Sequence, residues 1–150
     1  MKETINQLRS IIDKYQSLLR QIDPVAFEAN PVPNKWSRKE ELGHLIDSAL
    51  SNIRRFVVGQ YEEQPYIVYN QDKWVAISNY RHYNNDDLIQ LWVLLNKHIC
   101  MILENTSSEN AGRIVQTQEL HSIEWLAQDY NKHLLHHLHH LLGFEPVAYP

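Results

Sequence analysis

Apolar residues recur at three- and four-residue steps over four stretches of the chain, the signature of amphipathic helices. Ile5, Leu8, Ile11, Ile12, Tyr15, Leu18, Leu19 and Ile22 mark the first, from about Lys2 to Ile22, where Asp23-Pro24 stops it. Ser37-Arg38-Lys39-Glu40 has the form of a capping box and opens the second, which runs to about Val58 before Gly59. Leu88, Leu91, Trp92, Leu95 and Ile99 form the stripe of the third, from about Asp86 to Leu103. The fourth extends from near Leu120 to Leu142 and is closed by Gly143. Four such helices in 150 residues predict an all-α four-helix bundle filling one domain, residues 1–150.

The connections are unequal. Residues 23–36 hold three prolines, residues 104–119 are polar, and residues 60–85 are rich in Tyr, Trp and Asn. Connections as long as the last usually cover a site. Tyr61, Tyr66, Tyr69, Trp74, Tyr80 and Tyr83 either pack that segment onto the bundle or wall a pocket. With only four glycines and six prolines, a turn-rich β-protein is disfavoured.

Composition narrows the partners. A formal net charge of −4 and a pI near 6.1 give no basic patch for nucleic acid or an anionic membrane. No apolar run approaches the roughly 18 residues of a membrane span, and the first residues show no signal-peptide pattern, so a cytoplasmic location is expected. The single cysteine, Cys100, excludes an internal disulfide framework and reads as a small core residue of the third helix.

Histidine distribution is the sharpest chemical signal. His133, His136, His137, His139 and His140 are five of the chain's nine histidines and fall within eight residues of the fourth helix. With His133 at zero on a wheel of 100° per residue, His137 lies at roughly 40°, and Leu126, Tyr130 and Leu141 at roughly 20°, 60° and 80°. His133 and His137 therefore share an inward stripe at the i, i+4 spacing by which two imidazoles grip one divalent ion. The competing pair, His136 with His140, sits further from that stripe. Leu135, Leu138 and Leu142 fall on the other side, which hints at a second buried surface and hence a homodimer. A third ligand is needed, and His44 is the best candidate, although on the second helix it lies off the apolar arc, in line with Ser48, Ser51 and Arg55. That line is either solvent-facing or the border of a polar cavity.

Longer strings add to this. Trp36-Ser37-Arg38-Lys39-Glu40-Glu41-Leu42-Gly43-His44-Leu45-Ile46-Asp47-Ser48-Ala49, followed by Asn52, Arg55 and Phe56, resembles the opening motif of the DinB-like, or YfiT-like, superfamily. Asp129-Tyr130, His133 and His136-His137-Leu138 resemble its closing motif, and Tyr69-Asn70-Gln71-Asp72-Lys73-Trp74-Val75 with Tyr80 resembles a middle segment of one branch. The resemblance spans nearly the whole chain. It implies a bundle running up-down-down-up and a metal held by His44, His133 and His137. His140 stands where glutamine is common in that superfamily, which leaves a fourth imidazole near the site or a surface change.

Three neutral imidazoles leave a coordination position open, the pattern of a catalytic site, with zinc or nickel the leading ions. Such a centre activates water or a thiolate. Asp129 is placed to orient His133, Asp47 to orient His44 or act as base, and Arg55 either holds an anionic substrate group or makes a surface salt bridge. The expected function is a metal-dependent hydrolase or thiol-dependent S-transferase acting on a small molecule, with a low-molecular-weight thiol as a further cofactor. The alternatives are a non-catalytic metal-stabilised binding or stress-response module and, more weakly, a metal-free dimerisation domain.

Overall fold

The computed structural model describes residues 1–30 and 32–149. Four long helices form the frame: α1 (Lys2–Arg20), α3 (Arg38–Val58), α5 (Asn85–Glu104) and α7 (Ile123–Leu142). Between them lie α2 (Pro24–Glu28), α4 (Gln71–Ser78), a 3-10 turn (Tyr80–His82), α6 (Ser108–Ala111) and a hairpin of β1 (Ile114–Gln116) and β2 (Leu120–Ser122).

Local chemistry accounts for the boundaries. Asp23 accepts from the Ala26 amide and starts a new short helix at Pro24, so α1 ends at Arg20, two residues before the expected Ile22. The capping box forms as read, with the Glu40 amide donating to Ser37 Oγ (3.1 Å) and the Ser37 amide to Glu40 Oε2 (2.9 Å). Gly143 takes φ 70° and ends α7, a conformation that suits a residue without Cβ. The start of α7 departs from expectation. Leu120 and His121 pair with Gln116 and Val115 in the hairpin, and Ser122 caps the helix from Ile123. Residues 104–119, expected to be a polar loop, thus contain α6 and a buried strand residue, Val115.

Side-chain pairs fix the directions of the helices. Arg9 meets Glu104 and Arg20 meets Gln90, so α1 and α5 are antiparallel. The N-terminus meets Glu124, Asn131 meets Thr4, and Tyr15 meets His139, so α1 and α7 run parallel. Glu41 meets His137 and His44 meets His133, so α3 and α7 are antiparallel. The order is up-down-down-up, with α1 diagonal to α3 and α5 diagonal to α7.

That topology explains the long connection between α3 and α5. Helices α3 and α5 lie side by side and point the same way, so residues 59–84 must climb the length of α3, about 30 Å at 1.5 Å per residue. They do so with α4 and the 3-10 turn packed on α3, and with Ile67 donating to Gln116 O (2.9 Å) to join the hairpin. Gly43 permits the approach: a Cβ there would overlap the buried Tyr80 ring.

One apolar cluster runs through all four long helices. Leu138 is fully buried within the chain, and Leu135 and Leu142 pack against the same core. They share an α7 face with Asn131, whose amide donates to Thr4 O of α1 (2.9 Å). The second apolar side of α7 is therefore covered by α1, which removes the ground for inferring a homodimer from it. Cys100 is buried as expected, and burial raises its thiol to about 11.

Candidate metal centre and adjoining cavity

Helix α3 presents His44 and the antiparallel α7 presents His133 and His137, one turn apart, at the same level of the bundle. The Nε2 atoms of His44 and His133 lie 3.1 Å apart. Ring centroids are 4.7 Å apart for His44–His137 and 4.6 Å for His133–His137. One nitrogen from each of the three falls within 4.8 Å of the others. Three nitrogens around one tetrahedral ion at ~2.1 Å would sit ~3.4 Å apart, so small side-chain rotations bring this set to that spacing.

The electrostatics suit a cation. Burial drives His44 down to about 4, and the neighbouring His137 adds to the effect. Burial takes His133 to about 2, again with His137 and then His44 contributing. Both rings are thus neutral at pH 7 and keep a lone pair for a ligand. Around them, Trp36 packs over His44 with centroids 5.0 Å apart, and Ser48 Oγ lies 3.4 Å from His133 Nδ1. His44 Nδ1 is buried with no hydrogen-bond partner among the described residues.

A cavity of about 670 Å³ opens beside His133. Its wall includes Ser48, Asn52 and Arg55 of α3, Tyr69 of the crossover, Trp125, Asp129 and Tyr130 of α7, and Tyr149. A second cavity, about 550 Å³, meets His137 from the other side, between Trp36 and His140. Arg55 faces the first cavity. It is held there by Nε and Nη2, both donating to Ile67 O (3.3 and 3.2 Å). No carboxylate lies within 4.0 Å of its guanidinium among the described residues, so the surface salt bridge is not what forms. Burial lowers its pKa, as for any cation taken from water.

A model of the DinB superfamily matches residues 7–141. The chain belongs to the DinB superfamily. The solved structure of YfiT from Bacillus subtilis, described as a probable metal-dependent hydrolase with an unusual four-helix bundle topology, superposes with a TM-score of 0.84. It is 18% identical, over 96% of this chain and 88% of that one, a likeness that establishes the shared fold. No curated protein matches the chain by sequence.

Two expected roles are corrected in this DinB superfamily chain. Asp129 does not orient His133; it accepts from the Tyr149 hydroxyl (2.8 Å), while His133 Nδ1 faces Ser48. Asp47 does not orient His44, whose Nδ1 is unpartnered; Asp47 Oδ1 accepts from Tyr80 and lines neither cavity. Burial raises Asp47 to about 6, against a smaller opposing effect of the Tyr80 hydrogen bond.

The remaining histidines of α7 are accounted for. Beyond Gly143 the chain turns back along the helix. His139 Nδ1 donates to Glu145 O (2.8 Å) and its Nε2 accepts from Tyr15 (2.7 Å). His136 Nδ1 donates to Val147 O (2.7 Å). His140 is not in the three-histidine set; its Nδ1 donates to Glu41. Of the crossover aromatics, Tyr80 is core and Tyr69 cavity wall, whereas Tyr61 and Tyr66 are exposed. The sequence reading missed Glu41, which accepts from His137, and Tyr149, which returns to the cavity from 16 residues beyond His133. Glu41 had a signal: it lies three residues before His44, on the same face of α3.

Proposed function

We propose that this chain is a metal-dependent enzyme acting on a small molecule, with His44, His133 and His137 as ligands of one divalent ion, zinc or nickel. The observation that carries this is the convergence of three imidazole nitrogens beside a cavity of substrate size. The donor set fits such an ion: three nitrogen ligands, no thiolate and one position left for water or substrate. When bound, the metal supplies Lewis acidity and an activated water or thiolate.

The chain's own residues do the rest. Arg55, a guanidinium in the cavity wall with no carboxylate within 4.0 Å among the described residues, holds an anionic group of the substrate. Tyr69, Tyr149 and Trp125 line the same cavity and offer aromatic surface to the apolar part of the substrate. Asp47, behind α3, supports Tyr80 and the crossover. Hydrolysis is the leading reaction, supported by the description of YfiT. Transfer of a low-molecular-weight thiol to a small electrophile is the second, because the open position serves a thiolate equally well.

Elemental analysis of protein purified without a histidine tag tests the reading. About one metal per chain is expected in wild type. His44→Ala, His133→Ala and His137→Ala should each lose it. Metal content equal in wild type and all three variants, or absent throughout after reconstitution with zinc, nickel and manganese, would overturn the proposal.

A further inference from the structure

The carboxyl group of Glu41 is buried between two imidazoles of α7. Its Oε1 lies 2.8 Å from His137 Nδ1, and Oε1 and Oε2 lie 2.9 and 2.8 Å from His140 Nδ1. The Glu41 side chain is only 8% exposed, and no lysine or arginine reaches it among the described residues. A carboxylate in such a place needs N–H donors, and the two histidines supply them from successive turns of one helix. Nδ1 of His137 is thereby committed as a donor, and Nε2 is left with its lone pair toward His44 and His133.

From this arrangement we infer that Glu41 is a positioning residue for the metal centre: it fixes the tautomer and ring angle of His137, and its negative charge makes that imidazole a stronger ligand. The inference rests on the proposed metal site. The three ligands are not equivalent in this respect. Among the described residues, His44 Nδ1 has no partner and His133 Nδ1 meets only a hydroxyl at 3.4 Å. Glu41 is therefore, among the described residues, the one anion hydrogen-bonded to the set. His140, largely exposed, is a tether for that carboxylate rather than a ligand. Carboxylate–histidine–metal relays of this kind change metal affinity about 10- to 100-fold when broken.

Metal affinity, read by competition with a chromophoric chelator, separates the possibilities. Glu41→Gln keeps an acceptor oxygen for His137 but removes the charge, and its dissociation constant for zinc should rise about tenfold. Glu41→Ala should raise it toward a hundredfold. His140→Gln, whose amide still donates to Glu41, should stay within about threefold. The cobalt-substituted Glu41→Gln protein should also show a shifted d–d spectrum, which a purely structural change would leave alone. Nitrogen-15 NMR of metal-free wild type should show His137 with its proton on Nδ1, a measurement that stands even where a variant fails to fold. Wild-type affinity in both Glu41 variants, or His137 protonated on Nε2, would overturn the inference while leaving a His137-dependent metal site intact. Loss of metal binding in wild type itself would overturn both.

Discussion

His44 shows how far the helical wheel can mislead. Wheel reasoning takes polar residues as outward, and His44 lies with serines and Arg55 off the apolar arc of α3. Yet it is 1% exposed, and Glu41, Asp47, Ser48, Ser51 and Asn52 are buried with it. Helix α3 has core on one side, α7 on another, and α4 with Tyr80 over a third, so its polar line faces inward. His44 was a candidate that its wheel position disfavoured, and the resemblance in the surrounding string outweighed the wheel; His133 and His137 were readable from spacing, because they share the apolar stripe of their helix. At this scale Asp47 offers a pH test. Its folded carboxyl titrates near 6 against 3.8 for the unfolded group, so the native state binds the extra proton between those values. Asp47 therefore lowers stability as pH rises from about 4 to about 6. Buried His44 acts in the opposite sense over an overlapping window, so the comparison must be with Asp47→Asn. That variant should be more stable than wild type at pH 7.5 and should lose its advantage at pH 4, as urea denaturation at the two pH values would show.

Among elements, the long helices were easy to read and the short ones were not. Capping box, apolar stripe and closing glycine act over a few residues, and each appears in the sequence in the form it takes in the fold. Capping of α3 should contribute about 1 kcal/mol, lost when Ser37→Ala removes the acceptor for the Glu40 amide and measurable as a shift of the urea midpoint with unchanged slope. By contrast, α4 is eight residues with one buried side chain, Val75, and the hairpin strands are three residues each. Such pieces carry too few periods to announce themselves. They are held by their surroundings: α4 by α3, and β1 by the crossover hydrogen bonds at Pro65 and Ile67.

For the molecule as a whole, the proposed metal joins α3 to α7 through His44 and His133, which are 89 residues apart in the chain. An ion bound only by the folded state adds about 2.7 kcal/mol at a hundred times its dissociation constant. For a domain of this size that is roughly 5–10 °C in melting temperature. Zinc or nickel should produce such a rise, EDTA should reverse it, and His137→Ala should show neither effect in differential scanning calorimetry.

Sequence alone determined the four helices, the two-histidine spacing on α7 and, through resemblance, the order in which the helices run. These follow from periodicity and capping, which are local, and from strings long enough to be specific. Tertiary structure decided that the second apolar side of α7 belongs to α1, that Asp129 serves Tyr149, that Arg55 is tied to the crossover at a cavity, and that Glu41 stands behind His137. Each depends on which surfaces meet once parallel α3 and α5 force the chain to climb back along the bundle. Contacts between residues so far apart leave no period and no spacing for the sequence to display.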